Sequence, residues 1–260
     1  RDGMTMLVDL HVHSSRYSAC GISAPEEMVA RAIEVGLQGL VFTEHHVVWP
    51  AQELASLQDR FPDIKLFRGI EVTSDDGDDY LVYGVTEPGV FWARMEAGEL
   101  LDRVRAHNGA VVLAHPYRSK TEVPAILEER RVDGLEVGSN NMTNYGHMRA
   151  RRLAERWGVA AVMASDAHQV DTLGLYAVRF HREVVDEADL ARALKGREFG
   201  LYVDVARLTA RNDEILAQIP EAVRLIAAGY DDMEVHEELP SLSLSAVEGI
   251  RKGWDVRKPI

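Results

Sequence analysis

Met6-Leu7-Val8-Asp9-Leu10-His11-Val12-His13 decides how this chain is read. An apolar run of strand length ends in two histidines one residue apart. Successive side chains of a strand point to opposite faces, so His11 and His13 share a side, with Asp9 behind them in the same row. Two imidazoles so placed can converge on one cation. Zinc, manganese and iron all accept neutral imidazole nitrogen, and carboxylates normally complete such a shell.

Later strand-like segments end in the residues that could complete it. Leu40 to Thr43 runs into Glu44-His45-His46, Leu66 to Ile70 into Glu71, Ala110 to Ala114 into His115-Pro116, and Ala160 to Ser165 into Asp166-Ala167-His168. In a parallel α/β barrel the strand ends open onto one face, where side chains distant in sequence meet. Asp166 and His168 repeat the two-residue spacing and reach the same rim.

The same alternation runs along most of the chain. Ser23-Ala24-Pro25-Glu26-Glu27 opens a helix that stops at Gly36, with proline early and acids in the first turn. Further helices are expected at 50–60, 99–107, 124–130, 144–157 and 187–194. Further strands are expected at 64–72, 80–85, 110–114, 134–137, 176–180 and 200–205. Seven or eight βα units make a barrel rather than a doubly wound sheet. After Ala206 the pattern changes to a helix over 213–228 interrupted at Pro220, an acidic stretch at 231–238 and a short helix at 244–254. The expected organisation is therefore a barrel over residues 4–205 and a helical, acidic extension over 206–260 that serves as a cap, a dimer contact or a link to another module. Arg1-Asp2-Gly3 precedes Met4 and Met6 and is set outside the fold.

Composition narrows the function. A chain of 260 residues with 46% hydrophobic content can bury one sizeable core, and a formal net charge of -13 disfavours non-specific attraction to nucleic acid or anionic membranes. Any bound phosphate must be met by local cations or metal. The lone Cys20 leaves no intrachain disulfide and no reason to expect a non-reducing compartment. No apolar run approaches the roughly 20 residues that span a bilayer, and the N-terminal segment does not read as a signal peptide. The expectation is a cytoplasmic protein with no membrane partner.

Five motifs in order resemble the polymerase and histidinol phosphatase (PHP) superfamily. They are Asp9-Leu10-His11-Val12-His13, Thr43-Glu44-His45, Gly69-Ile70-Glu71, Ala114-His115-Pro116 and Ser165-Asp166-Ala167-His168, spanning about residues 6 to 205. The resemblance implies a distorted seven-stranded (β/α) barrel with two or three divalent metals, zinc, manganese or iron, in its mouth. It implies His11, His13, Glu71 and Asp166 around a first metal, and Glu71 bridging to a second shared with His115. His45 and His168 then hold a third metal or contact substrate. Three departures stand out. Asp79-Tyr80 replaces a common histidine, with Asp79 as a substitute ligand; Ser18-Ala19-Cys20-Gly21 offers only Cys20 for the third metal; and Glu44 stands where the family has Asp.

The activity expected of such a site is hydrolysis of a phosphate ester on a small metabolite or nucleotide, with a metal-bridging hydroxide as nucleophile. Arg16 and Arg118 follow ligand-bearing strands and are expected to bind phosphate oxygens, as a guanidinium fork does. Asn140 is expected to add a hydrogen bond, and His45 or His168 to protonate the leaving oxygen if not metal-bound. Glu136 is expected to orient a ligand histidine. Two other readings compete. An amidohydrolase-like barrel attacking carbon also begins with His-x-His but commonly uses a bridging lysine, and no lysine ends a strand here. A degenerate module would bind metal without catalysis. A lone strand-end histidine is more often a packing residue than a ligand; His11 and His13 together reverse that. The acids around Gly77 read as a solvated turn.

Overall fold

The computed structural model describes residues 5–260; Met4 and the residues before it lie outside the described part. The element order is β1 Met6–Val12, α1 Pro25–Glu34, β2 Gly39–Phe42, α2 Ala51–Arg60, β3 Lys65–Thr73, β4 Asp79–Tyr83, α3 Ala97–Ala106 and β5 Ala110–Leu113. A single 3-10 turn, Ala125–Glu128, leads to β6 Gly134–Gly138, α4 Asn144–Trp157, β7 Ala160–Met163, β8 Tyr176–Phe180, α5 Glu187–Gly196 and β9 Phe199–Val203. The chain ends in α6 Val205–Ala227, α7 Asp232–Glu238 and α8 Leu244–Arg251.

The strands form one nine-stranded sheet in the order β7-β6-β5-β4-β3-β2-β1-β8-β9. This corrects the seven strands implied by the resemblance, and the physical reason lies in how the barrel closes. At its N-terminal end β1 pairs antiparallel with β8 through Met6, Leu7 and Val8. At its C-terminal end Val12 instead bridges Ala167, just past β7, with the His13 N–H donating to the Ala167 carbonyl at 2.9 Å. Strands β1 to β7 therefore encircle the mouth, while β8 and β9 fill the opposite end.

The sheet is also not uniformly parallel. β4 runs antiparallel to both β3 and β5, because only Ser74 to Asp78 separates β3 from β4 and a parallel crossover needs a dozen residues or more. That link is the tight Asp-rich turn expected around Gly77, whose φ of 78° suits glycine. Lys120 pairs with Asp78 across it.

One core lies inside the barrel, where Met6, Val8 and Leu10 meet Val41, Phe67, Leu81 and Val112. Outside, Leu7, Val12, Leu40 and Phe42 pack on α1 and α2 through Met28, Val29, Leu54 and Leu57. Leu10 thus faces inward and Val12 outward, although both are even-numbered. The register of β1 shifts between Asp9 and Val12, and that irregularity turns His11 and His13 into the mouth, as strand bulges beside functional sites do. Asp9 does not follow them. Its carboxylate accepts the backbone N–H groups of Ser165 at 2.9 Å and Gly174 at 3.1 Å, binding β1 to the segments that flank the closure. Burial raises the Asp9 carboxyl to about 6 against the pull of these bonds.

Helices α6 to α8 hold a core of their own, built from Ile215, Leu225, Val235, Leu242, Val247 and Val256. Pro220 sits within α6 without breaking it, so the expected interruption does not occur. The cost is one missing backbone hydrogen bond. No helix of the described residues is long and apolar enough to cross a membrane.

Candidate metal centre

The strand ends bring seven ligand-type side chains together. Among the described residues, three groups of three have donor atoms within 4.8 Å of one another: His11, His13 and Asp166; His11, Glu71 and His115; and His13, His45 and His168. Each group shares a corner with another, so the expected set His11, His13, His45, Glu71, His115, Asp166 and His168 forms one continuous cluster. Glu71 occupies its middle. Oε1 of Glu71 lies 3.2 Å from His115 Nε2 and 3.4 Å from His11 Nε2, while Oε2 lies 3.1 Å from both His13 Nε2 and His45 Nδ1.

Local backbone geometry aims these groups. Past the end of β2, His45 pairs with Glu71 in a parallel bridge, and the His46 N–H donates to the Glu71 carbonyl at 2.8 Å. Gly69 permits this close approach of β2 and β3, since a Cβ there would lie 3.0 Å from Thr43 Cγ2. His115 and Asp166 both adopt left-handed backbone, with φ of 26° and 50°. Such conformations cost about 1–3 kcal/mol each in a non-glycine residue and persist where the surroundings over-determine them.

Neighbouring side chains fix the rings. Glu136, fully buried, accepts from His11 Nδ1 at 2.9 Å and from the His115 backbone N–H at 2.8 Å. Ser18 Oγ lies 3.1 Å from His13 Nδ1 and donates to Glu44 at 2.5 Å. Glu44, also buried, further accepts from Ser14 Oγ at 2.5 Å and Trp49 Nε1 at 3.1 Å. Sequence reading noticed Glu44 only as a departure and missed the two serines, which carry no ligand chemistry of their own. Asn141 Nδ2 donates to Asp166 Oδ2 at 2.7 Å.

The electrostatics suit bound cations. Burial pulls the His11 imidazole down, but the charges of Asp166, Glu71 and Glu136 outweigh it and hold it well above its ordinary value. Against the same burial, Asp166 and Glu71 push His13 up to about 9. Glu71 and Asp166 are held well below the usual carboxylate range because the facing histidines outweigh burial. Burial lowers His45 and His168. The inner site therefore draws in positive charge, as protons or as the metal that displaces them. Oε2 of Glu71 is buried and has no hydrogen-bond partner, although two imidazole nitrogens face it at 3.1 Å. A buried acceptor left unpaired is costly, and a divalent ion between carboxylate and imidazoles satisfies all three. The donor set of nitrogen and oxygen suits zinc, manganese or iron.

The other expected residues divide. Arg118 lies at the centre, with Nη1 3.4 Å from His115 Nε2 and Nη2 3.6 Å from Asp79. Asp79 Oδ2 is 3.8 Å from His115 Nε2, but Oδ1 accepts from Thr73 Oγ1 at 2.6 Å, and Asp79 belongs to none of the three groups. Cys20 lines the same cavity without joining a group. Arg16 does not reach the site. It pairs with Glu53 at 2.9 Å and lines a separate depression beside Glu26 and Arg60, because the loop after β1 turns outward beyond Ser14. Asn140 does not line the cavity, whereas its neighbour Asn141 does and donates to Asp166; the Asn140 backbone carbonyl accepts from Lys258 Nζ at 2.6 Å. The cavity over the cluster, about 760 Å³, is walled on its far side by α7 and α8, including His236, Ser245 and Glu248. No motif marked these residues.

Comparison with known proteins agrees with this geometry. A protein-family profile described as PHP-associated matches residues 144–199, from α4 into β9. No curated protein sequence matches the chain. Three solved structures share its fold. A proposed metal-dependent phosphoesterase from Bifidobacterium adolescentis is 15% identical with a TM-score of 0.52, covering 62% of this chain and 87% of that one. PsfC from Pseudomonas syringae is 19% identical with a TM-score of 0.59, covering 78% and 93%. An amidohydrolase from Chromobacterium violaceum, with bound sulfate and no metal, is 16% identical with a TM-score of 0.54, covering 75% and 97%. The profile match lies on the barrel's last helices and strands, which carry Asp166 and His168 of the cluster, and it bears out the resemblance of this chain to the PHP superfamily.

Proposed function

We propose that this protein is a metal-dependent phosphoesterase acting on small phosphorylated substrates. The observation that carries the proposal is the set of three overlapping histidine and carboxylate groups, of which His45, Glu71, His115, Asp166 and His168 line one cavity beside Arg118 while His11 and His13 are buried. Two or three divalent ions held there would supply Lewis acidity and an acidified water at neutral pH. Arg118 is the one arginine or lysine among the described residues lining the cavity. Its fork matches phosphoryl oxygens and neutralises charge that the acidic walls would otherwise repel. Asn141 holds Asp166 in the orientation that faces His11. His168 Nδ1 lies 3.0 Å from the Asp166 carbonyl. Donation to that carbonyl makes Nδ1 the protonated nitrogen of the neutral ring and turns Nε2 toward ligand or solvent. When no metal occupies it, His168 or His45 can act as the general acid after taking up a second proton from solvent, passing that proton to the leaving oxygen and returning to the neutral form.

An amidohydrolase reading gains nothing from the cavity, whose described lining contains no lysine to bridge two metals. A reducing, cytoplasmic setting suits a site with Cys20 at its edge. The test is phosphate release from a panel of mono- and diesters by metal-loaded protein. The proposal expects divalent-metal dependence and loss of activity in H11A and D166N. A fully metal-loaded protein inert across the panel contradicts it.

A further inference from the structure

We propose that α7 and α8 form the recognition site for the part of the substrate beyond its phosphoryl group, and that this site admits a neutral, hydroxyl-bearing moiety while rejecting a second anionic group. The inference rests on the phosphoesterase reading above. A cavity of about 760 Å³ is of the size that encloses a small molecule. Its floor is the accessible part of the cluster, His45, Glu71, His115, Asp166 and His168, with Arg118, and its ceiling includes Asp232, His236, Ser243, Ser245 and Glu248. A substrate whose phosphoryl group engages the floor can place its remaining atoms against that ceiling.

The ceiling is acidic and has no spare cation. Arg251 and Lys252, its nearest basic residues, are paired with Asp232 and Glu248 and do not line the cavity. A second phosphate there meets two carboxylates whose partner cations are already engaged and do not line the cavity, so it finds no free cation to bind it, an unfavourable contact of the kind that sets specificity. Hydroxyl groups find partners instead. The Ser243 and Ser245 hydroxyls lie 3.0 Å apart. His236 Nδ1 lies 2.7 Å from the Leu242 carbonyl, and donation to it leaves Nε2 of the neutral ring as an acceptor.

The ceiling is also held in place. Its own apolar core fixes α7 and α8 against α6. The segment that follows returns to the barrel: the Trp254 ring stacks on Tyr145 with centroids 4.3 Å apart, and Asn144 Nδ2 donates to Asp255 at 2.7 Å. Lys258 Nζ then donates to the Asn140 carbonyl, one residue from Asn141 on the floor. Floor and ceiling are thereby tied through one loop, so the spacing between the phosphoryl site and the recognition site is built into the fold.

The test compares a hexose 6-phosphate with a hexose 1,6-bisphosphate on the metal-loaded full chain, following phosphate release, while calorimetry measures binding of inorganic phosphate. The expected result is a kcat/KM at least about tenfold higher for the monophosphate. E248K should narrow that ratio about tenfold, chiefly through KM, and leave the affinity for inorganic phosphate unchanged. Glu248→Gln, a change of nearly equal shape, should move the ratio the same way by less. Equal use of both substrates by the unaltered protein, or an unchanged ratio in both variants, overturns the inference while leaving the phosphoesterase reading intact. Absence of phosphate binding by the metal-loaded protein removes that reading and this inference with it.

Discussion

Glu136 Oε1 lies 2.9 Å from His11 Nδ1, with both side chains fully buried. This contact makes Nδ1 the protonated nitrogen and points Nε2 at Asp166 and Glu71, 3.2 and 3.4 Å away. Partners of this kind typically contribute 10–100-fold to metal affinity. Glu136→Gln should therefore weaken divalent-metal binding by about that factor, read by competition with a chromogenic chelator. Unchanged affinity would mean that His11 is oriented by packing alone.

Glu44 anchors the loop that follows β1. It accepts from Ser14, Ser18 and Trp49, and Ser18 in turn contacts His13. Glu44→Ala leaves these buried donors without a partner and should cost on the order of 2–4 kcal/mol in urea unfolding. Metal-loaded Glu44→Ala should also lose affinity, because His13 loses its support. A variant as stable as the parent would show that the network adds nothing to the fold.

Arg118 binds substrate in this account and does not hold metal. Arg118→Ala should lower kcat/KM by about a hundredfold or more with metal content unchanged, and Arg118→Lys should recover only part of the loss, since a lysine lacks the planar fork. Loss of metal from Arg118→Ala would assign the residue to the metal site instead.

Lys258 gives a pH signature in stability. It is fully buried, and burial lowers its amine to about 7. Between pH 7 and the ordinary lysine value near 10.5 the unfolded chain binds the proton that the folded chain has released, so stability rises with pH across this window. The rise attributable to one such group is on the order of a few kcal/mol. Lys258→Met should flatten it, so the difference in Tm between parent and variant should change steadily from pH 7 to pH 10. Parallel Tm curves across that range would contradict the burial of a charged amine.

Much of the site is legible in the chain because ligand chemistry leaves a periodic trace. His11 and His13, Asp166 and His168, and a glutamate or histidine near the ends of β2, β3 and β5 announce themselves by spacing and residue type. What escaped reading depends on tertiary geometry. The reversal of β4 follows from a five-residue link between strands, yet its consequence for the barrel appears only when the sheet is assembled. Arg16 and Asn140 follow the right strands but do not line the cavity, which takes Asn141 instead, because the turn of a loop decides which of two neighbouring residues faces a site. Ser18, Glu44 and the ceiling residues of α7 and α8 are polar groups without a motif, and their roles exist only through what they face. The expected break at Pro220 failed because one lost backbone bond is outweighed by the apolar contacts of Ile215, Ala222 and Leu225 on the same helix.

The central claim is that His11, His13, Glu71, His115 and Asp166 jointly hold divalent cations. Anomalous difference maps from crystals of protein incubated in turn with zinc, manganese and iron test it most directly. The account predicts at least two peaks inside the cluster, each about 2.0–2.3 Å from imidazole nitrogen and carboxylate oxygen, with Glu71 touching both. Maps with no peak among these five residues, from protein shown in solution to have been exposed to saturating metal, would contradict it.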